Sequence, residues 1–272
     1  MKKIILKVKK KINGILNLKN LSSINKININ KKNVGNIDLI YKNKKVKLFE
    51  IFAISIFKNA KKSDELQLIG CNGFCNYLGF KWEKNKIIVE SDIGSHVGFG
   101  MSGGEIIING CAKDYLGSEM SGGLIKVTKN VADFLASPSS GSKIGMKGGE
   151  IEILGNSGNF TASYMRRGLV IIRGNVGNFC CFNMIAGTVI IFKNIAENFA
   201  VSMKRGSIIL MKDKTKLDGR FQLSGKISTS FYKFLSVYLN EKFSISFKIN
   251  DFFRFYGDRS ANGLGEVLKN SS

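Results

Sequence analysis

The 272-residue sequence contains only one proline and one histidine, and its five cysteines are too few and too irregular for a disulfide framework. The cysteines do not form the paired CxxC clusters of a structural zinc site, so packed, reduced thiols are expected. No apolar run approaches the ~20 residues of a membrane-spanning helix. The stretch Met1–Lys7 begins with a basic segment, but lysines interrupt its apolar residues, so it does not resemble a signal peptide. The sequence therefore predicts a cytoplasmic protein without a membrane segment.

Positive charge is concentrated near the N-terminus. The formal net charge is +22, and residues 1–63 contain 17 lysines but only two acidic residues. Such a surplus favours polyanionic partners, which include nucleic acid, anionic lipid, acidic proteins and polyglutamate. Aromatic residues are not interleaved with the basic ones, as stacking on nucleic-acid bases would require, so we predict no nucleic-acid binding.

The middle of the chain is a tandem repeat that can be counted from its methionines. Their spacings are 19, 26, 19, 19 and 19 residues, and the repeats begin at Met101, Met120, Met146, Met165, Met184 and Met203. A glycine stands three residues after each methionine, and aliphatic residues stand five and seven residues after it. The alternation predicts a strand with one buried face, and the glycine predicts a tight corner before it.

A unit of 19 residues is too short for a helix pair but suits one coil of a solenoid. We therefore predict an all-β fold, a parallel β-helix of about seven ~19-residue coils whose first copy starts near Trp82. The 26-residue step is explained by an insertion around residues 136–142. The open strand edges at the two ends of a β-helix need covering, so we predict a cap at each end. The predicted domains are a Lys-rich N-terminal cap (1–63), the β-helix (64–213) and a C-terminal cap and tail (214–272). The C-terminal cap includes the aromatic-rich amphipathic stretch 231–256.

Basic residues that follow the repeat methionines form a candidate binding site. Stacked coils would align them into a basic ladder that is broken at Ile185 and Ala186, and its members are Lys147, Arg166, Arg167, Lys204 and Arg205. Arginine binds two oxygens of a carboxylate or phosphate at once, which favours recognition of anions. An ordinary solvated charged edge is the alternative.

The outward strand face becomes apolar in the last three repeats. Strand parity directs Ile171, Ile190 and Ile209 outward, with Phe192 and Met211 beside them. Proteins rarely leave such a patch exposed to water. We predict an interface with another subunit here, and cover by the C-terminal segment of the same chain is the alternative.

No motif predicts catalytic residues, a metal site or a bound cofactor in this chain. Residues 98–103 match GxGxxG, but they fall at a repeat corner instead of between the strand and helix of a dinucleotide-binding unit. His96 belongs to an aromatic column, which favours stacking over catalysis. The column consists of Tyr77, His96, Tyr115, Phe134, Phe160 and Phe179.

The repeats resemble a known family. The chain is similar to the C-type subunits of formylmethanofuran dehydrogenase in four features. These are the units M-x-G-G and M-R-R-G-L-V-I-I-R-G-N, the following M-I-A-G-T, the one longer step, and the ending Y-G-D-R-S-A-N-G-L-G-E-V from residue 256. They resemble most closely the bacterial relatives of these proteins, the C-type subunits of the formyltransferase/hydrolase complex. The C-terminal domain of glutamate synthase large subunits has similar Gly-rich coils and is an alternative.

The resemblance implies a β-helix subunit without its own active site. Its partners would be amidohydrolase, formyltransferase and molybdoenzyme-like subunits, which move a formyl group between tetrahydromethanopterin and a methanofuran-type carrier and release formate. The metal of the hydrolase, or the Mo or W centre of a true dehydrogenase as the alternative, would lie only in those partners. Such carriers have polyglutamate tails, and the basic ladder would be where the tail binds.

Overall fold

The computed structural model of the protein describes residues 1–58, 63–212, 215–226, 230–246 and 251–270. Within these ranges the chain is mostly β. Its strands are β1 (Lys2–Val8), β2 (Leu16–Asn17), β3 (Asp38–Tyr41), β4 (Lys44–Lys47), β5 (Phe52–Lys58), β6 (Glu65–Ile69), β7 (Cys75–Asn76), β8 (Lys86–Val89), β9 (Glu105–Ile108), β10 (Leu124–Val127), β11 (Lys147–Ile153), β12 (Arg167–Ile172), β13 (Thr188–Ile191), β14 (Arg205–Leu210), β15 (Gln222–Lys226), β16 (Phe252–Gly257) and β17 (Leu264–Asn270). Its helices are α1 (Lys31–Gly35), α2 (Leu48–Ile51) and α3 (Ser230–Phe243), with 3-10 turns at Lys19–Asn25 and Arg259–Ala261.

Thirteen of these strands form one sheet in the order β15-β16-β17-β14-β13-β12-β11-β10-β9-β8-β6-β1-β5. All pairs from β6 to β14 are parallel, and equivalent positions of successive repeats lie side by side. The inward aliphatic positions five and seven residues after the methionines are fully buried, as the alternation predicts. A smaller sheet has the order β4-β3-β2-β7.

Successive repeats also meet at a second place. Parallel bridges join Ile93 to Ala112, Ala112 to Val131, Val131 to Ser157, and onward to Val176 and Ile195. The bridge between Val131 and Ser157 joins equivalent positions across the 26-residue step, so the seven extra residues lie in a loop outside the ladders. The predicted insertion is therefore accommodated without a change of register.

Strands that do not belong to the repeats extend the parallel array at both ends. At one end, β1 pairs parallel with β6 and antiparallel with the edge strand β5. At the other end, β17 pairs parallel with β14, and the antiparallel strands β16 and β15 follow. The predicted boundary at residues 213 and 214 lies outside the described residues, and the division into caps stays a prediction. No helix in the described ranges is long and apolar enough to cross a membrane.

Helix α3 is the main departure from the predicted all-β architecture, and it covers the outward apolar face. Ile171, Ile190 and Ile209 are fully buried, and Met211 retains 8% of its exposure. They form one cluster with the inner side chains of the helix, which are Tyr232, Leu235, Leu239 and Phe243. Phe192 is half-buried beside this cluster. The prediction of a partner interface at these residues is therefore wrong, because a tethered apolar helix of the same chain already removes them from water.

Polar contacts fix the helix on the sheet. Tyr238 donates a hydrogen bond from its hydroxyl to the carboxylate of Glu150. Near the end of the helix, the Arg173 guanidinium donates to the carbonyl oxygen of Phe243 at 2.7 Å and to the buried Glu152 carboxylate at 2.8 Å. Because Arg173 belongs to the sheet region and Phe243 to the helix, these contacts fix the position of α3 as well as its burial.

Candidate anion-binding pocket

The basic residues of two repeats line a cavity of about 500 Å³. It lies where β12, β14 and β17 begin. Its lining residues are Arg166, Arg167, Ile185, Ala186, Lys204, Arg205, Asn262 and Leu264. We call this cavity the basic pocket.

The repeat geometry explains why these side chains project from the corner. The repeat methionines are buried, and the amide of the following residue donates to the methionine carbonyl of the previous repeat. Arg166 thus donates to Met146 and Lys204 to Met184, both at 2.8 Å. Next in the corner, Gly187 has φ +112°, and a Cβ there would lie 2.9 Å from the Cε of Met165. Each repeat therefore turns in the same way and directs the two residues after its methionine to the surface.

The break in the basic ladder forms one wall of the pocket. The strand register begins with Leu169 beside Thr188 and Thr188 beside Ser207, and its extension by two residues places Ala186 between Arg167 and Arg205. Because adjacent strands lie ~4.8 Å apart, the two arginine backbones are separated by about 10 Å. The shorter side chains of Ile185 and Ala186 leave space between the long cationic ones. What the sequence presents as an interruption is thus part of the cavity.

Four of the five ladder residues come together, and one does not. Among the described residues, Arg166, Arg167, Lys204 and Arg205 make no ion pair with an acidic side chain, and all four are exposed. Lys147 neighbours Arg167 in the sheet but is not in the pocket lining, and its ammonium group lies 3.8 Å from the Glu119 carboxylate. The four unpaired cations give the pocket a positive field that attracts anions.

Two lining residues come from the C-terminal hairpin, and the sequence pattern does not predict them. Leu264 begins β17 directly beside Arg205. Asn262 has φ +80° in the turn before it, and Asp258 fixes this turn by accepting a hydrogen bond from the Ser260 amide at 2.8 Å. The two residues are within the D-R-S-A-N-G-L-G ending, but nothing in their spacing predicts that the ending folds back onto the repeats.

The pocket can bind an anion but offers no evident catalytic group. Its lining consists of guanidinium, ammonium, carboxamide and aliphatic side chains. In the part of the chain that the structure describes, no group of three or more His, Cys, Asp or Glu side chains could hold a metal ion. The sulfur atoms of Cys180 and Cys181 lie 3.7 Å apart and are buried.

His96 lies elsewhere, in the predicted aromatic column. Its ring stacks between Tyr77 and Tyr115, with centroids at 4.5 and 4.8 Å, so the predicted stacking is confirmed. Burial lowers the pKa of His96, and the positive charge of Lys19 adds to this effect. A neutral, stacked imidazole is consistent with a packing role.

The repeat region matches a described family. The family called GXGXG motif covers residues 77–225, which is more than half of the chain. The chain belongs to the GXGXG family. Four pocket cations lie inside the matched region of this GXGXG protein, whereas Asn262 and Leu264 lie beyond it. No curated protein matches the chain significantly.

One solved structure shares the fold of this GXGXG protein over nearly its whole length. It is a chain in the X-ray crystal structure of the formyltransferase/hydrolase complex (FhcABCD) from Methylorubrum extorquens in complex with methylofuran. The TM-score is 0.84 at 24% sequence identity, and the alignment covers 97% of this chain and 98% of that chain. The predicted likeness to such a complex is thereby confirmed at the level of the fold.

Proposed function

We propose that this protein is a subunit of a formyltransferase/hydrolase complex and serves there as a scaffold without its own active site. Two findings support membership of such a complex: the fold shared with a chain of one, and the membership of the GXGXG family. The partners would be the formyltransferase and hydrolase subunits, in tetrahydromethanopterin-linked one-carbon metabolism in the cytoplasm. Metal-dependent chemistry would belong to those partners.

We further propose that the repeats coil as a parallel β-helix. The support is that equivalent residues of successive repeats meet both in the main sheet and at the second bridge ladder. The stacked rings of Tyr115, Phe134 and Phe160, with centroids at 4.8 and 5.2 Å, mark a third line of contact. A coil that meets its neighbours on several sides forms a rod, which suits a scaffold.

Within this role, the basic pocket would bind the polyglutamate tail of a methanofuran-type carrier. The observation that carries this step is the set of four exposed cations without acidic partners around one cavity. Three extended residues advance ~10 Å, which matches the separation of about 10 Å between Arg167 and Arg205. Carboxylates three residues apart along the tail could therefore meet cations on both sides of the apolar gap.

Substitution of the two neighbouring arginines tests this function. Exposed ion pairs contribute ~0.2–1 kcal/mol each, so Arg166→Ala combined with Arg167→Ala should raise the Kd for a carrier with a long tail by about 2- to 30-fold. A tail-less analogue should be unaffected, and the difference should shrink as salt is added. Lys147→Ala is the matched control, because Lys147 is exposed and basic but lies outside the pocket.

Equal losses for both ligands would mean that these arginines hold subunits together, and tail binding would then be rejected. The scaffold role has a separate test. The purified chain, supplied with formyl carrier and zinc, should show no formyltransferase, hydrolase or dehydrogenase turnover, and turnover that survives stringent purification would contradict the proposal. Metal analysis of the co-purifying subunits separates a hydrolase complex from a Mo or W dehydrogenase.

A further inference from the structure

A cavity in the N-terminal region is lined by three consecutive lysines. Its volume is about 360 Å³, which is within the range of sites that bind small molecules. It lies between the loop that joins β1 to β2, the end of β3 and helix α2. The lysines are Lys9, Lys10 and Lys11, and we call this space the lysine cavity.

The walls of the lysine cavity are held in place by hydrogen bonds and by the core. The Lys9 amide donates to the carbonyl oxygen of Ile51 at 2.9 Å, and the Tyr41 hydroxyl donates to the Asn13 carboxamide oxygen at 2.7 Å. Between these two points of the loop, Ile12 is buried in the main core. The cavity is therefore formed before a ligand arrives, and binding would cost little ordering of the loop.

The lining of the lysine cavity is positively charged. It contains the three lysines against one acidic residue, Glu50, which leaves a net charge of +2. The Glu50 carboxylate is already engaged, since it accepts a hydrogen bond from the Lys47 amide at 2.6 Å. Lys10 and Lys11 are exposed, and among the described residues neither forms an ion pair with an acidic side chain. Two neighbouring ammonium groups without acidic partners repel each other, so a bound anion would stabilise them.

The type of cation indicates the type of anion. The lysine cavity contains no arginine, and none occurs in the sequence before Arg166, whereas three arginines line the basic pocket. The flat guanidinium group matches a carboxylate with two parallel hydrogen bonds, but lysine binds phosphate as a compact point charge. A phosphate monoester carries a charge of about −1.5 to −2 at neutral pH, which two ammonium groups neutralise.

Apolar side chains lie beside the cations. Tyr41 and Ile51 belong to the same lining and are half-buried. Inorganic phosphate would leave these side chains without a contact, whereas the organic part of a phosphate monoester would pack on them.

We propose that the lysine cavity binds a small phosphate monoester, with its phosphate group at Lys10 and Lys11 and its organic part against Tyr41 and Ile51. The inference goes beyond the proposed scaffold role and does not depend on it. It gives a specific place to part of the positive charge that the sequence concentrates in residues 1–63.

The test uses the full chain and phenyl phosphate, which combines a phosphate monoester with a flat apolar ring. Lys10→Ala combined with Lys11→Ala should raise the Kd by about 2- to 30-fold in calorimetric titration at low salt, as expected for the loss of two exposed ion pairs. Both residues are exposed, so the circular dichroism and Tm should be unchanged. Lys31→Ala combined with Lys32→Ala is the matched control, because these adjacent lysines of α1 are exposed and lie outside the cavity lining.

The comparison of variants decides whether the site is the lysine cavity. A loss of affinity in the Lys10 and Lys11 variant but not in the control supports the inference. Equal losses in both variants would mean that net charge alone attracts the anion, which overturns it. Failure of the wild type to bind phenyl phosphate overturns it as well. So does a loss of affinity that follows Arg166→Ala combined with Arg167→Ala instead, because the anion would then bind in the basic pocket.

Two further ligands decide whether the occupant is a small phosphate monoester. Benzoate has the same ring but one planar group with a single charge, so it should bind more weakly than phenyl phosphate. Equal affinity for the two would reject phosphate as the ligand class. A short DNA duplex should not displace phenyl phosphate, and displacement that depends on Lys10 and Lys11 would make nucleic acid the occupant and overturn the inference.

Discussion

Substitution of Ile190 by alanine measures whether α3 covers the outward sheet face in solution. Ile190 is fully buried, yet its strand parity directs it away from the interior that the repeats share. If the helix is docked, Ile190→Ala removes buried methyl groups and leaves a cavity, which costs ~2–5 kcal/mol of the free energy of unfolding. If the helix is undocked, Ile190 is solvated and the cost falls to roughly 0.5 kcal/mol.

Two further isoleucines provide the scale for this experiment. Ile191 is the adjacent inward residue and is also fully buried, so Ile191→Ala should cost ~2–5 kcal/mol in either case. Ile40 is 45% exposed on β3, and Ile40→Ala should cost less than about 1 kcal/mol. Equilibrium unfolding in guanidinium chloride, followed by circular dichroism, gives the three values. An Ile190→Ala loss as small as that of Ile40→Ala would refute the packing of α3 on the sheet.

Two other predictions concern a repeat corner and a buried phenol. Gly149 has φ +86°, and a Cβ there would lie 2.7 Å from the Met120 Cε, so Gly149→Ala should lower the free energy of unfolding by more than about 1 kcal/mol. Gly219→Ala, with open space around it, is the control and should not destabilise the protein. Burial, reinforced by the hydrogen bond to Glu266, raises the pKa of Tyr232 above its ordinary value of 10. Above pH 10 the folded state keeps a proton on Tyr232 that the unfolded chain loses, so the free energy of unfolding should fall as the pH rises. In unfolding measured as a function of pH, the Tyr232→Phe variant should lose less of its free energy of unfolding above pH 10 than the wild type.

The parallel strands could be predicted from the sequence because their signals are local and repeated. Every repeat presents aliphatic residues at alternate positions after a glycine corner, and a one-residue slip would expose all of them. The register that the methionine spacing predicts is the one found, for example Ile106 beside Ile125 and Ile125 beside Ile151. Repetition multiplied a weak signal into a reliable one.

Helix α3 and strand β17 could not be predicted in the same way. The stretch 231–256 is aromatic-rich and amphipathic in sequence, but apolar residues lie on both faces of the helix, such as Leu235 inside and Phe234 outside, so the pattern does not predict which face packs on the sheet. The pairing of β17 with β14 joins residues more than fifty positions apart, Arg205 with Leu264, and no periodic signal links them. Part of the pocket wall and the cover of the apolar face depend on these non-local contacts, which explains why the predicted interface was wrong.

The apolar gap in the basic ladder suggests a substitution that separates two explanations of anion binding. A cation at position 186 would lie ~4.8 Å from each neighbouring strand, and two unit charges at that distance repel each other in water by about 0.9 kcal/mol. The backbones of Arg167 and Arg205 are about 10 Å apart, and at that distance the repulsion is only about 0.4 kcal/mol. Ala186→Arg would add charge but fill the cavity that Ala186 lines. If the cavity binds the carrier tail, this variant should bind the long-tailed carrier more weakly than the wild type in calorimetric titration, despite its larger positive charge. Tighter binding by Ala186→Arg would mean that charge density alone attracts the tail, and the basic pocket would then have no specific role.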